Sequence, residues 1–271
     1  TQGPGSFVFD GNVNGDFDWN SNLSGNNTVQ FSVSDGKGGL QSTSVEINVL
    51  PVAPNAVQPE AQPIPKNRFI SFAPGNAGMQ TAIKVVLTSL QHPNPANPIG
   101  HPPRDFFAFE GQVRWVGPSQ DFVESESNPA TFKAAKLQCQ PFYADWENIS
   151  LLHVYGEEII PSSIYNVQTI QQGCDISAPL CYSSAVPIAT GRWGDIVEPF
   201  SVVGGASQPD GIDIISMLNK FKNLQGSPSK VFAKLQPAAL DPSMGIDGLD
   251  VVAIVDAFKG FAYPYNIPQN C

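Results

Sequence analysis

Four aspartates in two matched pairs are the residues best placed to do chemistry in this chain. Asp210 and Asp213 lie in PDGIDIISMLNKFK (209–222), and Asp247 and Asp250 lie in IDGLDVVAIVDAFK (246–259), 37 positions further on. Carboxylates two or three positions apart on a turn can converge on one hard cation, and calcium takes about six to eight oxygens. The same carboxylates can instead accept the free N–H groups at a helix start and favour the positive end of its dipole. Behind each pair come apolar residues at helical spacing: Ile214, Met217, Leu218 and Phe221 in one copy, Val251, Ile254, Val255 and Phe258 in the other. An acidic turn feeding a short amphipathic helix, written twice, is the layout of a paired calcium-loop module. The two apolar faces are expected to pack on one another.

Other chemistry-bearing groups are weaker. Asp10, Asn12 and Asn14, followed by Gly15, fit the front half of a D-x-[DN]-x-[DN]-G calcium loop, but the twelfth position is Ser21 and not an acid. Glu157 with Glu158, and Glu124 with Glu126, could pose as paired carboxylates for glycoside hydrolysis. Adjacent acids on a strand point to opposite faces, and the 124–126 stretch is polar, so solvated surface is expected for both. No G-x-S-x-G elbow, Walker loop or H-E-x-x-H occurs. His153 sits within LLHVY and reads as a core or edge residue rather than a base. Trp115, Trp146 and Trp193, with Tyr143 and Tyr155, could form a sugar-stacking platform, but their scatter fits core packing better. Asn22, Asn26 and Asn148 each begin an N-x-S/T triplet that permits glycan attachment.

Cys139, Cys174, Cys181 and Cys271 have no zinc spacing, and the histidines lie far from them in sequence. Disulfides in an oxidising compartment are expected, with free buried thiols the alternative. Cys174 and Cys181 are spaced to staple a local loop, and Cys139 with Cys271 would then tie the tail back.

The elements that must position these residues follow from composition. A net charge of −10 leaves nothing to neutralise a row of phosphates, so nucleic acid is excluded as a partner and anionic membrane surfaces are disfavoured. No apolar run approaches a membrane span. Only 14% of residues are charged, against 24 glycines and 25 prolines, a balance that suits strands and turns.

Residues 1–50 alternate apolar and polar in SFVFD, TVQFSVSD and STSVEINVL, with DGKGG as a hairpin turn. Residues 51–66, PVAPNAVQPEAQPIPK, are a proline-rich spacer. Residues 67–190 carry six further strand candidates, RFISFAP, TAIKVVLTSL, FFAFEGQVRWVG, TFKAAKLQCQPFY, SLLHVYGEEIIP and SIYNVQTI. Residues 191–271 hold the two acidic turns and their helices.

Two resemblances add to this. GSFVFD, VQFSVSDGKGG and STSVEINV resemble the C-terminal half of the cadherin-like or immunoglobulin-like repeats of large bacterial surface proteins. From about residue 66 onward, KNRFISFAPGNAGMQTAIKV, GQVRWVGP, AAKLQCQPFYADW, LLHVYGEEIIPSSIYNVQ and TGRWGDIVEPF are similar to secreted proteins of planctomycetes and related environmental bacteria that end in a dockerin-type tail. The resemblance implies that Gly194-Asp195 opens the first calcium loop, with Asp210 and Asp213 as its later acidic ligands. In the second copy Lys234 stands where a leading aspartate is expected, so Asp247 and Asp250 would need Asp241 or backbone carbonyls to complete a shell.

The expected protein is therefore mainly β. Two Ig-like β-sandwich regions, the first incomplete, precede a small helical dockerin-like tail. An immunoglobulin-type repeat needs about seven strands, and residues 1–50 supply three or four. Either preceding sequence or a neighbouring molecule's strand is expected to complete that sheet. The expected role is an extracellular, non-catalytic structural protein of a cell-surface assembly or fibre, with self-association or another surface protein as partner and calcium as the candidate cofactor. An adhesion or carbohydrate-binding module with a dockerin-like attachment tail is the first alternative. The non-catalytic C-terminal part of a larger secreted hydrolase is the second.

Overall fold

The computed structural model describes residues 5–9, 15–19, 25–34, 36–49, 53–62, 64–90, 109–124, 131–200, 209–236, 245–261, 263–264, 268 and 271. Among the described residues, twelve strands and three helices make the protein mainly β. Near the start, β1 (Gly5–Phe9) pairs with β2 (Gly15–Trp19). Next, β3 (Gly25–Ser34) pairs over its whole length with β4 (Leu40–Val49). Both pairings are antiparallel. The turn between β3 and β4 needs its glycines, because Gly36 and Gly38 have φ of 70° and 98°. The β2 strand was not expected. It occupies the stretch just after the Asp10–Asn14 calcium-loop motif, and those three candidates lie outside the described residues, as does Asn22.

All other strands form one eight-stranded sheet, a single continuous ladder. Its members in chain order are β5 (Gln58–Pro59), β6 (Ile70–Ala73), β7 (Thr81–Leu90), β8 (Val113–Val123), β9 (Thr131–Gln138), β10 (Leu152–Tyr155), β11 (Ser163–Gln171) and β12 (Val186–Ala189). The spatial order is β12-β11-β7-β8-β9-β10-β6-β5. Only β9 and β10 run parallel. The sheet coils until β12 at one edge touches β5 and β6 at the other, which nearly closes it and protects both edges. The six strands expected in 67–190 are all present. Short β5 and β12 carry prolines and no clear alternation, so the sequence pattern did not reveal them.

Side chains follow the period of two. Ile83, Val85 and Leu87 of β7, Leu152 and Val154 of β10, and Tyr165 and Val167 of β11 point into one interior cluster. The opposite faces are covered as well. Phe122, Ala134 and Tyr155 join Phe69 and Val231 in a second cluster, while Ala82, Trp115 and Ile170 pack against Cys181 in a third. Burial on both sides explains why LHVY in β10 is buried at every position. The Cys174–Cys181 disulfide staples the loop over the third cluster, and Cys139–Cys271 ties the chain end to the close of β9.

The helices are α1 (Gly211–Phe221), α2 (Lys230–Ala233) and α3 (Gly248–Phe258). α1 packs against α3. The interior cluster continues from the strands through Ile159, Ile160, Trp193 and Ile196 to Met217, Leu235, Ala253, Ile254 and Ala257, so helix pair and sheet share one core. The contact is close at Gly194. Its φ is 87°, and a methyl there would lie 2.6 Å from Ala257 Cβ and 2.7 Å from Pro209 Cγ. Gly194→Ala combines a left-handed backbone with overpacking, and is expected to lower unfolding free energy by about 3 kcal/mol in urea titration.

Candidate functional site

The twin acidic turns are built alike down to single hydrogen bonds. Asp210 is the N-cap of α1, its Oδ1 accepting from Ile212 N at 2.6 Å and from Asp213 N at 3.4 Å. Asp213 answers by accepting from Asp210 N at 2.9 Å, which completes a capping box. Asp247 and Asp250 repeat this around α3: Asp247 Oδ1 accepts from Leu249 N at 2.8 Å and Asp250 N at 3.3 Å, and Asp250 Oδ2 accepts from Asp247 N at 3.2 Å. Each third-position aspartate also reaches back to an upstream segment. Asp213 Oδ1 accepts from Ile196 N and Val197 N at 2.9 and 3.2 Å. Asp250 Oδ1 accepts from Leu235 N and Gln236 N at the same two distances. Both helices also stop alike. Asn223 and Gly260 take positive φ just past the end, and the next residues bond back to Asn219 and Asp256 carbonyls.

The carboxylates brought together by sequence pattern are thus engaged as backbone acceptors. Asp213 and Asp250 are buried, whereas Asp210 is exposed and Asp247 half-buried. Asp195 is buried at the head of the first upstream segment, and its carbonyl accepts from Asn67 Nδ2 at 3.0 Å. In the second turn Lys234 Nζ lies 3.1 Å from Asp250 Oδ2. Asp241 lies outside the described residues. Among the described residues no three His, Cys, Asp or Glu side chains gather as a metal site would require. For a calcium shell the donor set of the second turn does not fit, because its carboxylate oxygens already face N–H groups and an ammonium.

Sequence reasoning missed the residues that join helices to sheet. Asn67 reads the 194–195 segment with both ends of its amide, since its Oδ1 accepts from Gly194 N at 2.9 Å while its Nδ2 donates to Asp195. Arg68 is wholly buried and donates to Ile159 O at 3.0 Å and Gln236 O at 2.5 Å, with its guanidinium over the Tyr263 ring. Glu124, expected to be solvated, is buried. It accepts from Lys220 Nζ of α1, from Lys230 N at 2.7 Å and from Ser229 Oγ at 3.0 Å. The correction has a simple cause: α1 and the start of α2 fold over the end of β8 and bring their own donors. No local pattern announces a contact across about a hundred residues. Glu158 is likewise paired, with Arg114 Nε at 2.6 Å.

Trp115, Trp146 and Trp193 are core residues, and Tyr155 is buried with them. Trp146 Nε1 donates to Thr81 O at 2.9 Å. These four side chains therefore pack within the core, whereas Tyr143 is half-buried. Asn148 lies on an exposed turn, and Asn26 lies within β3. A small cleft among Val85, Leu87, Phe109, Leu137 and Tyr165, with the Arg114–Glu158 pair beside it, has a volume of about 10 Å³, room for little more than one water.

His153 is held in an aromatic box of Phe69, Phe122 and Phe132, its Nδ1 2.7 Å from Ser71 Oγ. Nε2 has no partner. Burial, reinforced by the charge of Lys66, pushes its pKa down to about 3.

No family model, curated protein or solved structure matches this chain.

Two outcomes are expected. Glu124→Ala leaves Lys220 buried without its partner and should cost about 3 kcal/mol of stability by chemical denaturation. For His153, the unfolded chain binds the proton near pH 6.5 and the folded one only near pH 3. Its contribution is complete above about pH 6.5 and declines as pH falls toward 3. Relative to His153→Phe, the parent should lose about 1.4 kcal/mol per pH unit between roughly pH 6 and 4.

Proposed function

We propose that the protein is an extracellular, non-catalytic structural component of a surface assembly, with subunits joined by strand addition at the N-terminal ribbon. One observation carries this reading. Among the described strands, β3 and β4 pair only with each other, ten residues against ten. A two-stranded ribbon is marginal alone, and it gains stability when further strands extend it. Its described side chains from Gly36 to Glu46 are all exposed, including Leu40 and Val45 at 70% and 45%. Two disulfides support an oxidising location, and among the described residues no helix is long and apolar enough to cross a membrane.

A second reading is favoured by the helix pair. Ile212 and Ile215 of α1, with Leu249 and Val252 of α3, are all more than half exposed at matching positions of the repeat. Leu218, Phe221 and Phe258, expected between the helices, are between a third and a half exposed, while Met217 and Ile254 are buried. An attachment tail with a duplicated apolar face would present such residues to another surface protein.

Sedimentation velocity and electron microscopy of the full chain test the first reading. Concentration-dependent oligomers or fibres are expected, and Val45→Lys, which blunts the ribbon without touching the shared core, should shift them toward monomer. A parent chain that stays monomeric at high concentration would rule out strand addition between copies.

A further inference from the structure

The second acidic turn contains a cation supplied by the chain itself. Lys234 is 1% exposed and the Asp250 carboxylate 0%. The ammonium donates to Asp250 Oδ2 at 3.1 Å and to the backbone carbonyl of Gly245 at 3.0 Å. A carboxylate plus a loop carbonyl is the kind of oxygen pair a calcium loop offers its ion. The remaining carboxylate positions are filled by N–H groups of Leu235, Gln236 and Asp247. Gln236 Nε2 closes the neighbouring Asp247 Oδ1 at 2.6 Å.

The first turn supplies the comparison. There the same pair of N–H groups, from Ile196 and Val197, clamps Asp213, and the residue just before them is Asp195. In the second turn the residue just before the clamp is Lys234. The two repeats thus share a backbone frame and differ in the sign of one buried charge. We infer that Lys234 is the resident cation of the second repeat, taking the place of a metal ion and closing that repeat to calcium. The ion pair neutralises Asp250 where water cannot. It makes the docking of α3 independent of the calcium supply.

Reductive methylation of the full chain, mapped by mass spectrometry, tests this in the parent protein. Lys222 and Lys259, which are exposed, should be modified, while Lys234 stays unmodified both with EGTA and with millimolar calcium. Labelling of Lys234 that appears on adding calcium would overturn the inference, since it would show the ammonium displaced by the ion. Thermal unfolding gives a second arm. Lys234→Met should lower Tm by roughly 10 °C, equally with EGTA or calcium. Lys234→Met combined with Asp250→Asn should lose less than the two single changes together, because no buried charge is then left alone. An unchanged Tm in Lys234→Met, or strict additivity, would also overturn it.

Discussion

The buried third-position aspartates of the two helices are the constraint around which the C-terminal half is arranged. Asp213 and Asp250 each tie a helix start to an upstream segment by accepting from two of its backbone N–H groups, which burial would otherwise leave unpaired. An ordinary capping box stabilises a single helix end. Here the same carboxylate also fixes where the upstream segment lies. Gly194 can then sit against Ala257, and Trp193 and Ile196 can enter the interior. The helix pair is thereby docked on the rolled sheet through polar clamps at its ends and apolar contacts between them.

Charges at that junction are handled by pairing. Glu124 gathers donors from α1 and from the start of α2, Arg68 spends its guanidinium on two carbonyls, and Lys234 meets Asp250. Such buried polar groups are costly unless satisfied, so each works mainly as a selector of one arrangement. Apolar packing alone would tolerate several placements of two short helices. The clamps distinguish them.

How much of this could be read from the sequence depends on range. The repeat was plain, because the Asp-Gly pair, the second aspartate and the closing Phe-Lys lie within single turns of chain. Six of the eight strands of the main sheet were legible from β-branched and aromatic runs, and Cys174 with Cys181 from simple proximity. The junction was not legible. Glu124 looked like a solvated loop acid, since nothing within several residues of it hints at Lys220. The helix faces were misjudged for a related reason. Phe221 and Phe258 fit an apolar stripe, yet each lies near the C-terminal end of its helix, beyond the buried Met217 and Ile254. Their exposure follows from how the pair is oriented on the sheet, which periodicity does not encode.

The bond between Cys139 and Cys271 has a mechanical consequence. Tension applied at residue 271 would enter the eight-stranded sheet directly at the close of β9, through a covalent link. The 131 residues between the two cysteines, which include β10 to β12, all three helices and both acidic turns, are enclosed in a covalent loop. A pull at residue 271 would therefore reach β9 before it reached the docked helices.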